Sequence, residues 1–346
     1  MNNADILVDL QFGSTGKGLL AGMLALSGKY DIVVNANMPN AGHTFIDGED
    51  GIVHINKVLP SGHVAPNVKV CLGPHSVFSY EQLFKEIRFA ESHNIKIRDR
   101  LLIHPCATLL SPEHKEAEEN SLSGISSTMQ GSATATIDKM MRSAGSMPIA
   151  GMDERLEPYI VDQGTWGRMM NDAKGILVEG SQGYSLGINT VHYPYTTSRS
   201  CTPAAFMDYC GVPIRCMRDI IGVMRTFPIR VGNTDDGYSG HGYPDQEELE
   251  WTQFGVVPET TTVTGRIRRI FSFSNMQLED ALNECQPNKI FLNFCNYCED
   301  EDELKSMVED IILQGQQAGL SSQIIQWMGF GPTTKDIQES NVAKLQ

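Results

Sequence analysis

The sequence lacks the long apolar run that a membrane span requires. None of its hydrophobic stretches approaches the roughly 20 residues that cross a bilayer, so we expect no membrane association. The first residues also lack the basic segment of a secretory signal, and the expected location is the cytoplasm. Hydrophobic residues make up 41% of the 346 positions and charged residues 20%, a composition typical of a globular protein.

Basic residues are scarce, and the cysteines follow no pattern. The 27 Lys and Arg against 42 Asp and Glu give a net charge of -15, which disfavours general electrostatic binding to nucleic acid. A nucleotide would therefore have to be held locally. Eight cysteines without regular spacing do not form a disulfide framework, and Cys295 and Cys298 have no second pair to complete a zinc site. We expect free thiols.

Short runs rich in Val and Ile recur between helical stretches. They lie at 6–8, 32–34, 68–70, 101–103, 176–178, 220–223 and 290–292. Because such runs are typical of strands covered on both faces, we predict an α/β fold with a mostly parallel central sheet flanked by helices. We expect one domain over 1–346, with loop and helical insertions.

Two helices and two loops can be placed within this pattern. Ser79 and Gln82 have the spacing of a capping box, which predicts a helix to near Asn94. A second helix is predicted from about Asp302, with Gly319 ending it. Segments 121–132 and 232–242 are rich in small polar residues, which predicts loops that are candidates for ligand contacts.

A glycine-rich turn follows the first predicted strand. Residues 13–18 read Gly-Ser-Thr-Gly-Lys-Gly and lead into a helical stretch, so backbone N–H groups and the Lys17 ammonium can face a phosphate. The turn departs from the Walker pattern G-x-x-x-x-G-K-[ST], because Gln11 occupies the position of the first glycine and Gly18 the position of the Ser or Thr. A tight turn with an exposed lysine is therefore the alternative.

A polar segment follows the second predicted strand. Residues 40–44 read Asn-Ala-Gly-His-Thr, where open α/β sheets place their ligands. We expect His43 in a loop, where it can act as a general acid or stabilise charge on a phosphoryl oxygen. A lone histidine is more often structural, and that alternative stays open.

These two motifs, in this order and at this spacing, resemble the adenylosuccinate synthetase family. Further blocks agree at 179–183, 193–198, 230–232, 264–269 and 329–332. The resemblance implies a P-loop-related α/β fold, a homodimer and a C–N bond-forming ligase that uses Mg²⁺. In that reaction a nucleoside triphosphate phosphorylates O6 of a purine monophosphate, and the amino group of L-aspartate then displaces phosphate from C6.

The resemblance also implies a role for each matching residue. Catalysis would rest on Ser14, Lys17, His43 and Gln182. The triphosphate and its phosphoryl group would contact Gly13, Thr15, Gly16, Lys17, Gly18, Gly42, His43, Thr44, Asn296 and Gly331. The purine monophosphate would contact Ser14, Asn40, Thr128, Gln130, Gln182, Thr197, Val231 and, from the partner subunit, Arg142. L-Aspartate would contact Thr262, Val263, Thr264, Arg266 and Arg268, and Mg²⁺ would contact Gly42 and Ser14.

Two departures from the family pattern narrow the substrates. Ser14 stands where the family has an Asp that acts as base toward N1 of the purine, and the shorter side chain leaves room for a 2-amino group. Asn296 stands where the family has the Asp that reads guanine in GTP, so ATP or dATP is the expected donor. Both changes, with segments 37–44, 243–248 and 291–297, resemble the bacteriophage branch, whose members convert dGMP to N6-succino-2-amino-2′-deoxyadenylate for diaminopurine DNA.

Two other readings stay open. One is a short adenylosuccinate synthetase acting on IMP with GTP. The other is a nucleotide-binding switch without catalysis, for which loss of the family carboxylate would be the sign. Lys17, His43, Arg266 and Arg268 favour an enzyme. The sequence does not identify the group that accepts the N1 proton, and a bound water is the candidate.

Overall fold

The structure is a computed structural model that describes residues 2–142, 149–262 and 264–340. Its strands are β1 Ala4–Asp9, β2 Ile32–Asn35, β3 His43–Ile46, β4 Val53–Asn56, β5 Lys69–Leu72, β6 Val77–Phe78, β7 Leu101–Ile103, β8 Thr108–Leu109, β9 Ile176–Glu179, β10 Met217–Arg225, β11 Ile229–Arg230, β12 Glu248–Leu249, β13 Arg269–Phe271, β14 Lys289–Asn293, β15 Ile325–Gly329 and β16 Ile337–Glu339. Its α-helices are α1 Lys17–Leu26, α2 Tyr80–Ser92, α3 Pro112–Ser121, α4 Ser132–Met141, α5 Gln163–Asp172, α6 Pro203–Tyr209, α7 Asn275–Cys285 and α8 Glu301–Gln317.

Nine of these strands form the central sheet, in the order β16-β15-β14-β10-β1-β9-β2-β5-β7. Every neighbouring pair is parallel except β15 and β16 at one edge. Six of the seven predicted apolar runs lie within one of these strands, and the run 68–70 begins one residue before β5. The prediction of a mostly parallel α/β sheet is confirmed. The interpretation of 1–346 as a single domain stays a prediction.

Both faces of the sheet are buried. Side chains alternate along each strand, so Ile6 and Val8 join one core cluster while Leu7 joins the other. Helices α5 to α8 cover the first face, and α1 and α2 cover the second. This double cover is why the strands read as nearly continuous apolar runs in the sequence.

The predicted helix ends agree closely with the structure. The Ser79 hydroxyl accepts the Gln82 N–H at 3.2 Å and begins α2, although the Gln82 side chain donates to Glu86 instead of completing a capping box. Gly319, with φ +80°, follows the end of α8. Segment 121–132 contains a 3₁₀ turn, Ser123–Ile125, before its loop. All eight cysteines are free thiols.

The central strands end on polar residues that face one another across a single edge. Asp9, Asn35, Glu179, Arg225 and Asn293 are the last residues of β1, β2, β9, β10 and β14, and each is buried. Parallel strands bring their carboxyl ends together, so these side chains lie at the ligand-binding edge of the sheet. Among the described ranges, no helix combines the length and apolar character that crossing a bilayer requires.

Candidate functional site

A cavity of about 430 Å³ opens at this carboxyl edge. Its walls come from segments 12–18, 40–44, 125–128, 182–197, 230–239 and 259–268, with Phe294 beside them. Segments 12–18, 40–44 and 182–197 follow β1, β2 and β9, which are neighbours in the central sheet, so the strand order brings them together although they are far apart in sequence. The volume falls within the range of small-molecule sites in proteins.

The glycine-rich turn is built around the Asp9 carboxylate. The backbone N–H groups of Gln11 and Gly13 donate to one oxygen at 2.9 and 3.0 Å, and the Thr15 hydroxyl donates to the other at 2.6 Å. Lys17 Nζ lies 3.0 Å from the same carboxylate and is only 4% exposed. The alternative of an exposed lysine is therefore wrong, because Asp9 holds the ammonium at the wall of the cavity.

Left-handed backbone shapes this turn. Gly13 and Gly16 have φ of +93° and +98°, values that glycine adopts without the strain of a side chain. Ser14, between them, has φ +57°, which a residue with a Cβ rarely adopts. The conformation places the Ser14 side chain on the cavity wall.

His43 does not lie in a loop, as the sequence led us to expect. It is the first residue of β3, which pairs with β4 in a two-stranded ribbon, and the buried Phe45 fixes this short strand against α1. His43 Nδ1 lies 2.5 Å from a Glu179 carboxylate oxygen. The Ser61 N–H and hydroxyl donate to the same carboxylate at 2.6 and 2.9 Å. Glu179 thus fixes the ring, leaving Nε2 as its remaining polar atom.

A chain of amides forms a second wall. Gln182 Nε2 donates to Asn40 Oδ1 at 3.1 Å, and Asn40 Nδ2 donates to the Thr197 hydroxyl at 3.3 Å. Gln182 Oε1 is buried and has no protein partner in the described structure. It is therefore available as an acceptor for a donor on a ligand. Thr128 and Val231 line the same cavity.

The two arginines that the sequence grouped together have different partners. Arg266 donates to the carbonyl oxygens of Ser126, Ser127 and Gly232, and so braces loops behind the cavity wall. Arg268 lines the cavity and donates from Nη1 to the Ser14 hydroxyl at 2.5 Å. Burial lowers the pKa of the Arg268 guanidinium to about 10 and that of Arg266 below its usual value.

Glu259 is the one carboxylate on the described cavity wall. It accepts from Arg225 at 2.6 and 3.2 Å and from the Tyr297 hydroxyl at 2.9 Å. Burial alone would raise the pKa of Glu259, but the charge and hydrogen bonds of Arg225 hold it below its usual value. The Phe294 ring stacks 3.8 Å from the Arg225 guanidinium. This carboxylate is therefore a poor proton acceptor.

Most predicted site residues line the cavity, and some do not. Those on its wall are Gly13, Ser14, Thr15, Gly16, Lys17, Gly18, Asn40, Gly42, His43, Thr44, Thr128, Gln182, Thr197, Val231, Thr262 and Arg268. Those away from its wall are Gln130, Arg142, Thr264, Arg266, Asn296 and Gly331. Val263 lies outside the described residues. Asn296 and Gly331 follow the adjacent strands β14 and β15, beyond Phe294, and Arg142 is exposed at the end of α4.

Four residues that shape the site were missed in the sequence. They are Asp9, Glu179, Arg225 and Glu259, of which the first three end a strand. The signal in the sequence that could have identified these three residues is a charged residue at the end of an apolar run. The partners of Glu179 and Arg225 could not be inferred, because they lie far away in the sequence: His43 is 136 residues from Glu179, and Ser14 is 211 residues from Arg225. The partners of Asp9, by contrast, lie within eight residues of it.

Comparison with known proteins agrees with this geometry. A profile of the adenylosuccinate synthetase family matches residues 6–150 and 146–326. The N6-succino-2-amino-2′-deoxyadenylate synthase of Vibrio phage phiVC8 is 46% identical over 351 residues, 98% of each chain. That of Acinetobacter phage SH-Ab 15497 is 40% identical over 372 residues, 98% of this chain and 94% of the relative. The solved succinoaminodeoxyadenylate synthetase (PurZ) of cyanophage S-2L, bound to dGMP and to dATP as an energy donor, matches with a TM-score of 0.89 and 33% identity, covering 100% of this chain and 98% of that chain.

Proposed function

This chain belongs to the adenylosuccinate synthetase family of C–N bond-forming ligases, and we propose that it joins dGMP to L-aspartate with ATP or dATP as phosphoryl donor. The products would be N6-succino-2-amino-2′-deoxyadenylate, phosphate and ADP or dADP. The observation that carries this proposal is Ser14, whose short neutral side chain lies on the cavity wall where the resemblance places a carboxylate. The relatives at 46% and 40% identity, which bear the name of this activity, support it.

The first step would phosphorylate O6 of dGMP. The lactam oxygen is a poor leaving group, and the phosphorylated oxygen is a good one. Lys17, held by Asp9 and by the Gln182 carbonyl at 2.7 Å, is positioned to neutralise charge on the transferred phosphoryl group. His43 donates from Nδ1 to Glu179, so a second hydrogen on Nε2 would let the ring donate to a phosphoryl oxygen.

The purine would sit against the amide wall. Gln182 Oε1, which lacks a protein partner in the described structure, can accept from a purine N–H. Asn40, Thr128, Thr197 and Val231 would complete the contacts to the nucleotide. Gln130 would act only indirectly, because its side chain donates to the Thr128 carbonyl at 2.9 Å.

L-Aspartate would enter beside segment 259–268. Thr262 and Arg268 line the cavity there, and a guanidinium is well suited to a carboxylate. Arg266 and Thr264 would support this wall, because the Arg266 Nε donates to the Thr264 hydroxyl at 3.1 Å. The amino group would then displace phosphate from C6.

Mg²⁺ fits this site as an ion held mostly by phosphate oxygens and water. Gly42 offers a carbonyl, while the Ser14 oxygen already faces Arg268. In the described ranges no three His, Cys, Asp or Glu side chains lie together as a metal cluster. Mg²⁺ commonly keeps waters and binds substrate phosphates, so such a sparse donor set is sufficient. The ion would supply neutralisation of phosphate charge.

A homodimer would complete the site. Ile137, Met140 and Met141 are 56%, 68% and 66% exposed beside Arg142, an apolar surface that a second copy could cover. Arg142 could then reach the 5′-phosphate bound by its partner. Light scattering should give twice the chain mass, and mixing Arg142→Ala with Lys17→Ala protein should restore activity if the arginine acts across the interface. We propose the cytoplasm of the infected cell as the location.

A substrate matrix tests the proposed function. dGMP, GMP and IMP are each combined with ATP, dATP or GTP in the presence of Mg²⁺ and L-aspartate, and phosphate and the succino-product are measured. Turnover restricted to dGMP with an adenine nucleotide is the expected result. Turnover of IMP with GTP would instead assign a standard adenylosuccinate synthetase, and no turnover in any combination would favour a non-catalytic switch.

A further inference from the structure

Both oxygens of Ser14 face guanidinium groups. The hydroxyl accepts from Arg268 Nη1 at 2.5 Å, and the main-chain carbonyl accepts from Arg225 Nη1 at 3.2 Å. Arg225 is fully buried, and Arg268 is half-buried on the cavity wall. The residue that replaces the family carboxylate therefore lies in a cationic environment.

The positive charge at Ser14 is only partly balanced. Glu259 closes on Arg225, and among the described residues no carboxylate oxygen lies within 4.0 Å of an Arg268 nitrogen. Lys17 is a separate pair with Asp9. Two arginines against one carboxylate leave an excess of one positive charge beside the Ser14 hydroxyl.

The direction of the hydrogen bond leaves the Ser14 proton free. Because Arg268 donates to the oxygen, the hydroxyl hydrogen can point elsewhere, and no described protein group accepts it. Ser14 lines the cavity, so this hydrogen is available to a ligand. Arg268 polarises the O–H bond and makes the hydroxyl a stronger donor.

We propose that Ser14 and Arg268 act as a unit that stabilises negative charge on the N1–C6–O6 edge of dGMP during phosphoryl transfer. This rests on the proposed function. The N1 proton passes to a water molecule, and its electron pair is delocalised onto O6. O6 forms a bond to the γ-phosphorus, and the bond from that phosphorus to the β-phosphate oxygen breaks, releasing ADP or dADP. Ser14 donates to N1 as a catalytic residue, and Arg268 is its positioning residue.

This mechanism differs from that of a carboxylate in the same position. A carboxylate takes the N1 proton, whereas a hydroxyl backed by a guanidinium stabilises the anion that remains after the proton has left. Replacement of the family Asp by Ser therefore changes the catalytic role at this position from proton removal to stabilisation of the anion. Arg268 still has N–H groups for a carboxylate, since the partners among the described residues engage Nη1 and Nε alone, through Ser14 and through the Thr260 carbonyl at 3.1 Å.

Positional isotope exchange tests the unit without L-aspartate. ATP labelled with ¹⁸O in the β–γ bridge is incubated with dGMP, Mg²⁺ and enzyme. Movement of the label from the bridge to the non-bridging oxygens of the β-phosphate reports reversible phosphoryl transfer. Since aspartate is omitted, any effect of Arg268 on aspartate binding is excluded. Arg268→Gln should slow exchange at saturating dGMP by about tenfold to a hundredfold. The dissociation constant of dGMP should change by less than about threefold, and Arg268→Lys should restore part of the rate.

Arg98→Gln is the control. Arg98 is an exposed arginine whose side chain pairs with Glu91 of α2 at 3.2 Å, and it does not line the cavity. The exchange rate of this variant should stay near that of the wild type. Melting curves of all variants check that the fold is retained.

A double-mutant cycle tests whether the two residues act together. Ser14→Ala combined with Arg268→Gln should be no slower than the slower single variant. If the rate losses of the two single variants multiply in the double variant, or if Arg268→Gln exchanges at the wild-type rate, Ser14 and Arg268 do not act as a unit. Either result would leave the proposed function intact. Absence of exchange in the wild-type enzyme with dGMP would overturn the proposed function and this inference with it.

Discussion

Replacing Glu179 by Gln should disable His43 without touching the cavity wall. Glu179 is 2% exposed and accepts three hydrogen bonds, from His43 at 2.5 Å and from Ser61 at 2.6 and 2.9 Å. A glutamine has one acceptor oxygen, and its NH₂ group would face an N–H or O–H donor. Hydrogen bonds to a charged group contribute roughly 1.5–3 kcal/mol each, so we expect the free energy of unfolding to fall by about 2–4 kcal/mol.

The activity of Glu179→Gln should fall further than its stability alone explains. A ring that loses its charged partner is no longer held in the orientation that a phosphoryl oxygen needs. We expect kcat for dGMP to fall about 10²-fold, the effect of losing one donor to a developing charge. Steady-state phosphate release at a temperature where the variant is folded measures this. A kcat within about threefold of wild type, or a Glu179→Gln/His43→Asn double variant much slower than His43→Asn alone, would refute the reasoning.

Three further predictions concern other parts of the molecule. Ser14→Asp should weaken dGMP turnover by at least about tenfold, because the longer carboxylate crowds the 2-amino edge and neutralises Arg268; unchanged dGMP turnover would show that the role given to Ser14 is wrong. Burial lowers the pKa of His63 to about 3, so the unfolded chain binds a proton first as the pH falls below about 6.5. Protonation of His63 in the unfolded chain should therefore lower the free energy of unfolding by about 2 kcal/mol between pH 7 and pH 5. In urea titrations, the free energy of unfolding of His63→Gln should depend less on pH than that of the wild type. Glu86 accepts three backbone N–H groups ahead of the Ser61 turn, so Glu86→Ala should lower the unfolding free energy by roughly 3 kcal/mol in denaturant, whereas Glu91→Ala on the same helix should change it by less than about 1 kcal/mol.

The sheet could be predicted because its signal is local. Each strand buries both faces, so the apolar run that marks it is visible without knowing its neighbours. The ends of α2 and α8 were visible for the same reason, since Ser79 and Gly319 act within one helical turn. The order of the strands is not local, and neither are the contacts that depend on it.

The site was predictable in its residue types more than in its contacts. The turn at 13–18 and the segment at 40–44 both reach the cavity. His43 was misplaced in a loop because β3 has only four residues, too few to show an alternating pattern. Asp9 organises the turn through contacts within eight residues, whereas Glu179 orients the histidine through a contact 136 residues away that no spacing reveals. Arg266 and Arg268 are two residues apart and still take different partners, because Arg266 braces loops from distant segments.

The most direct measurement follows the oxygen atom of the purine. dGMP labelled with ¹⁸O at C6 is converted with ATP, Mg²⁺ and L-aspartate, and the released phosphate and the nucleotide product are weighed by mass spectrometry. If O6 is phosphorylated and then displaced by the aspartate amino group, the phosphate carries one ¹⁸O atom and the succino-product carries none. Unlabelled phosphate from turnover, with the label retained in the nucleotide or lost to water, would contradict the account.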